Sequence, residues 1–179
     1  MKNIRKLKII HIFIFFLLIS FAIIIYLSLL TYNVNDNSFF QYNSSILANQ
    51  NLLGSFGALL SDLLFRTIGM VSYLIPIVLI IWSIRLIWKK ENVSWLSVAV
   101  FPLLLINLCH LLTIVINKDF HSFTYGYGGF VGRGLNESLN HYLNKFPIIY
   151  IKLNNLLLFL YILTLSLKFN HKIPQILSS

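Results

Sequence analysis

Acidic residues are scarce in this chain: five in 179, against fourteen lysines and arginines, for a formal net charge of +9. Paired-carboxylate chemistry therefore has little material. Cysteine is scarcer still. Cys109 stands alone, so no intrachain disulfide can form and nothing has zinc-ligand spacing. His11, His121, His141 and His171 are scattered without a third donor at ligand spacing, so neither a metal nor a cofactor is expected. Polar sequence is also in short supply. The chain is 58% hydrophobic and only 11% charged, and a soluble domain of this size could not hide that much apolar surface. These absences define an all-α integral membrane protein.

The apolar runs divide into four expected spans. Residues 9–30 form the first, long enough at 1.5 Å per residue to cross a core of roughly 30 Å. The basic lead of Lys2, Arg5, Lys6 and Lys8 suits a signal peptide, but the run is too long and lacks a small-x-small cleavage site, so it reads as a retained anchor. Residues 53–88 would extend about 54 Å as one helix, so the stretch must divide. We expect an interfacial or re-entrant helix at 53–66 and a span at 67–88. The third span is 95–117. The fourth is 153–169, whose approach contains Lys152, Asn154 and Asn155. A second interfacial helix is expected at 135–146. The whole is one membrane domain, 1–179, with four transmembrane helices and one or two interfacial amphipathic helices.

The 53–66 segment is amphipathic. Phe56, Leu59, Leu60, Leu63 and Leu64 recur at helical spacing, while Ser55, Asp62 and Arg66 fall on the other side. The expectation is an apolar face in the membrane surface and a wet face carrying an Asp62–Arg66 i,i+4 ion pair. Orientation follows from basic residues. Nine, in the two termini and at Arg85, Lys89 and Lys90, fall on one side; five, Arg66, Lys118, Arg133, Lys145 and Lys152, fall on the other. The positive-inside rule makes the first side cytoplasmic and places both termini there. The connecting segment 31–51, rich in Asn, Ser and Asp, reads as solvated turns.

Three motifs remain. The glycines of Gly126-Tyr-Gly-Gly-Phe-Val-Gly132-Arg-Gly134 suggest a phosphate loop only superficially. Such a loop needs a preceding strand, a following helix N-terminus and Lys-Ser or Lys-Thr after the last glycine. No glycine in this chain is followed by lysine, so a turn packed at the membrane surface is expected instead. Asn107, His110, Thr113 and Asn117 form a polar stripe on the third span. A proton path would use such a stripe, but no acidic partner is present, and interhelical hydrogen bonding explains it. On the second span, Gly69 permits close approach of another backbone, and Pro76, one turn beyond Tyr73, permits a kink.

In order and spacing, the blocks 30–40, Gly57 to Pro76, and Gly128-Gly129-Phe-Val-Gly132 resemble the N-terminal four-span membrane domain of the FtsK/SpoIIIE family of DNA translocases. Asp62 falls on the acidic position of the family's Gly-Ala-x-x-Ala/Ser-Asp block, Gly57 on its first glycine. Gly69, Tyr73 and Pro76 fall on Gly-x-x-x-Tyr-x-x-Pro, and Gly128, Gly129 and Gly132 on Gly-Gly-x-Ile/Val-Gly. Arg66 departs from the pattern. The resemblance covers residues 30–131. It implies an inner-membrane anchor that self-associates and joins other division proteins at the septum, in service of cell division and chromosome partition.

Full-length members carry a DNA-pumping ATPase motor. These 179 residues hold no Walker A motif, so neither enzyme activity nor direct nucleic-acid binding is expected of them. A fragment, a shortened gene product and a stand-alone anchor are equally compatible with the sequence. The alternative class is a small polytopic transport or permease component. That would require buried charge facing a cavity, for which only Lys152 and His110 are available.

Overall fold

A computed structural model describes residues 2–42, 44, 48–88, 95–116, 125–143, 152 and 154–161. Its elements are α1 (Lys2–Leu30), α2 (Gly54–Ile68), a 3-10 segment (Gly69–Tyr73), α3 (Leu74–Trp88), α4 (Trp95–Val115) and α5 (Gly129–Leu143). Residues 154–161 are also helical, and no strand occurs among the described residues. Among the described residues, three helical stretches are long and apolar enough to cross a membrane: Ile9–Leu30, Gly54–Ile87 and Val98–Val115. The second holds both α2 and α3. Of the expected fourth span, residues 153 and 162–169 lie outside the described residues, as do 144–146 of the second interfacial helix and Asn117 of the polar stripe.

The expected span 67–88, with its kink at Pro76, is not one regular helix. Gly69, at φ 62°, ends α2 in the left-handed conformation that commonly closes a helix and costs glycine nothing. One 3-10 stretch follows before α3 resumes. Pro76 lies in the first turn of α3, where its missing N–H has no helical partner to lose. The expected kink at Pro76 is therefore a break at Gly69, and proline starts a helix there.

Contacts divide the chain into two compact units. One comprises Met1–Leu63 with Ser72–Val93, the other Leu64–Val71 with Ser94–Ser179. In the first, α1 packs on α3. Ala22, Ile25, Ser28 and Leu29 make the buried stripe of α1, whereas Phe13, Phe16 and Phe21 are more than half exposed. Ala22 and Ser28 let the helices approach closely while phenylalanines face outward, an arrangement lipid tolerates because apolar burial gains little between helices already in hydrocarbon. In the second unit α4 packs on α5. α4 stays helical through Pro102, and that proline is exposed.

Candidate functional site

The described part of the segment after α1 is turns with many exposed residues, as expected, but it is pinned by two buried polar side chains. Asp36 is buried, 3% exposed. Its two carboxylate oxygens accept from the backbone N–H groups of Gln50 (2.8 Å) and Asn51 (2.9 Å). Asn51, equally buried, donates through Nδ2 to the carbonyls of Ser28 (2.9 Å) and Thr31 (3.2 Å). These are carbonyls at the end of α1 that the helix itself leaves open. Asn51 Oδ1 accepts from Leu53 N–H (3.1 Å), an Asx turn leading into α2. Leu52 N–H donates to Thr31 Oγ1 (3.1 Å). Asn37 and Asn49 pair through Asn37 N–H to Oδ1 (2.9 Å) and Nδ2 to the Asn37 carbonyl (3.1 Å). The result is a polar knot tied to the C-terminal end of α1. Gly57 belongs to it: a Cβ there would run into Asn51 Oδ1.

Asp62 corrects the amphipathic reading of α2. It is 5% exposed, and it accepts from Tyr32 Oη (3.3 Å) and Ser38 Oγ (2.5 Å). Gly57, Ala58 and Ser61 are buried with it, while Phe56 and Leu63 are exposed. Ser61 Oγ closes on the Gly57 carbonyl (2.7 Å). Asp62, expected on a wet face, is thus packed, while Ser55 of that face is exposed and Arg66 half-buried. A polar residue of a membrane helix can find its partners in the protein rather than in water. Tyr73 makes a further tie, its hydroxyl donating to the Leu29 carbonyl (3.2 Å). Pro76 is fully buried.

In the other unit, four glycines quoted from distant parts of the sequence meet. Met70 N–H donates to the Tyr127 carbonyl (2.9 Å), and a Cβ on Gly69 would strike that same carbonyl. Gly129, at φ 63°, reciprocates: its Cβ would lie 2.6 Å from Gly69 N and Thr67 O. Gly128 and Gly132 press against α4, where a Cβ on either would strike the Cys109 carbonyl and Thr113 Oγ1. Thr113 Oγ1 itself donates to the Cys109 carbonyl (2.9 Å), and Cys109 Sγ lies 3.5 Å from the Ile68 carbonyl. The motif expected as a turn is chiefly the first turn of α5. A helix N-terminus, one phosphate-loop requirement, is therefore present after all. Its glycines hold the end of α2 and α4, and neither a strand among the described residues nor a lysine accompanies it.

The polar stripe of α4 splits in two. Thr113 faces the glycines. Asn107 and His110 reach Asn155 instead, through Nδ2 (3.5 Å) and Nδ1 (3.1 Å) to its Oδ1. Among the described residues no group of three His, Cys, Asp or Glu could hold a metal. Asp36 and Asn51 were not singled out from sequence, and Cys109 and Asn155 were named there without these contacts. Only Asn51 carried a local signal, an Asx residue just ahead of a helical run.

These features define a multi-pass helical membrane domain. The chain matches the family model described as the 4TM region of DNA translocase FtsK/SpoIIIE over residues 7–177, and it belongs to that family. It is the membrane part of that architecture, a multi-pass protein of the inner membrane. Among curated relatives, the DNA translocase FtsK of Rickettsia bellii is 29% identical over 124 residues, 69% of this chain and 16% of that protein. The DNA translocase FtsK of Rickettsia prowazekii is 32% identical over 96 residues, 54% of this chain and 12% of that protein. That of Pseudomonas aeruginosa is 32% identical over 78 residues, 42% of this chain and 9% of that protein. The chain thus spans about a sixth of the length of such relatives, or less. No solved structure matches.

Proposed function

We propose that this chain anchors an FtsK-type translocase in the inner membrane and acts at the division site as a packed helical scaffold, without catalysis of its own. The observation that carries this is the use made of the family-like residues. Gly69, Gly128, Gly129 and Gly132 bring backbones together, and Gly57, Asp62, Tyr73 and Pro76 pack or tie the other unit. The reading includes four spans, both termini cytoplasmic, self-association and contact with other division proteins. Expressed with a fluorescent tag in cells depleted of their own FtsK membrane domain, the chain is expected to concentrate at septa and shorten filaments. Diffuse membrane signal and unshortened filaments would refute the division role. For topology, alkaline phosphatase fused after Asn43 or Tyr127 should be active, and after Lys90 or Ser179 inactive.

A further inference from the structure

Three ties fix the height of α2. Asn51, just before it, is bonded to the carbonyls of Ser28 and Thr31. Asp62, inside it, is bonded to Tyr32 and Ser38. Tyr73, just after it, is bonded to the carbonyl of Leu29. All three reach the same end of α1, within or just beyond its last turn. A segment that starts, passes its middle and finishes at one end of a spanning helix does not cross the bilayer beside it. Residues 69–88, at about 2.0 Å per residue in the 3-10 stretch and 1.5 Å in α3, give roughly 32 Å, enough for a crossing without α2.

What this segment leaves outward is apolar and aromatic. Ser38 N–H donates to the Gln41 carbonyl (2.7 Å), and Phe40 N–H to Ser38 Oγ (3.2 Å), closing a tight turn with Phe39 and Phe40 at its tip. Phe39 is 73% exposed and Tyr42 82%. Leu52 and Phe56, at the start of α2, are 67% and 62% exposed. Ser38, which shapes the tip, is the residue held by Asp62.

We propose that α2 and the 38–42 turn bind the lipid surface at the C-terminal end of α1, with Phe39, Tyr42, Leu52 and Phe56 inserted in the headgroup boundary and Asp62 acting through Ser38 as the positioning residue for the aromatic tip. The occupant is lipid because the ties to Ser28, Leu29 and Thr31 hold these side chains at the rim of a helix that is itself in the membrane. Aromatic and tyrosine side chains gather at that depth, and amphipathic helices lie there with their apolar side a few ångströms deep. The inference rests on the membrane reading alone, so it can fail while the division role stands, and the reverse.

The test uses the full chain in liposomes, with Cys109→Ala as background and a spin label at Phe39→Cys, Tyr42→Cys or Phe56→Cys. The control is Asn35→Cys, an exposed position in the same segment. Relaxation by oxygen, which partitions into lipid, is compared with relaxation by a water-soluble nickel chelate. The expected result is oxygen dominance at 39, 42 and 56, chelate dominance at 35, and no change on diluting protein in lipid. Chelate dominance at 39, 42 and 56 would overturn the proposal. So would protection from both relaxants that disappears on dilution, which marks a face between copies. Asp62→Ala and, as the smaller change, Ser38→Ala should each shift the label at 39 toward the chelate while leaving 56 in lipid. An unmoved label at 39 in Ser38→Ala would remove the positioning role.

Discussion

The two units are held by opposite means. In the unit built on α1 and α3, side chains do the joining: Asn51 and Tyr73 bond carbonyls at the end of α1, Asp36 takes the N–H groups of Gln50 and Asn51, and Asp62 takes the hydroxyls of Tyr32 and Ser38. In the unit built on α4 and α5, missing side chains do it. Gly69, Gly128, Gly129 and Gly132 let carbonyls and N–H groups approach to distances that any Cβ would prevent. The first arrangement tolerates substitution in proportion to the bonds that survive. The second tolerates none at the crossing and is indifferent one turn away. Polar bonding and glycine contact are the two devices left to a membrane protein once burial of apolar surface no longer drives helices together.

The sharpest way to break the comparison is at the crossing. Gly69→Ala adds a left-handed strain of about 1–2 kcal/mol to overpacking of typically about 1–3 kcal/mol. We expect the largest loss of thermal stability in detergent there, with the protein aggregating on size exclusion. A wild-type melting curve would mean that the Tyr127 carbonyl moves freely aside. Next comes Asn51→Ala, which strands buried carbonyls of Ser28 and Thr31 at about 1–3 kcal/mol. A melting temperature unchanged from wild type would dismiss the knot. Asp62→Asn keeps one acceptor oxygen for two donors, and about 1 kcal/mol is expected. That exceeds the few tenths that a solvated Asp62–Arg66 pair would cost, so a loss of that smaller size would restore the surface reading. Smallest, and opposite in sign, is Gly134→Ala. No atom lies within 4 Å of a Cβ there, and a glycine in a helix interior costs up to about 1 kcal/mol relative to alanine. Slight stabilisation is expected from the same motif whose neighbour Gly132 admits nothing.

Apolar length and the scarcity of charge made the helical membrane class readable from sequence, along with the need to divide 53–88. The place of the division was readable only to within a few residues, because glycine and proline both interrupt helices and only coordinates show that Gly69 breaks and Pro76 begins. In the segment 31–51 the turns were legible, but the burial of Asp36 and Asn51 was not. Its Asp and Asn residues have the composition of a solvated loop, and partners of the segment lie as far as 30 residues away, as with Tyr32 and Asp62. No local pattern reports such a pairing. Asp62 of α2 was expected to be wet and is buried, because the rule that polar side chains seek water holds only where water is the solvent. The glycine blocks were legible as residues and illegible as a site: Gly69 and Gly129 are far apart in sequence, and nothing in either block names the other.

The most direct test of the packed-scaffold account is cross-linking at the crossing itself. Met70→Cys and Tyr127→Cys, in a Cys109→Ala background, place two thiols on residues whose backbones share a 2.9 Å hydrogen bond. Oxidation in membranes should give an intrachain disulfide, seen as a faster-migrating monomer that reverts on reduction, and differently tagged copies should remain unlinked. Cross-linked dimers in place of that monomer would show that these glycines join separate copies, and would contradict the account.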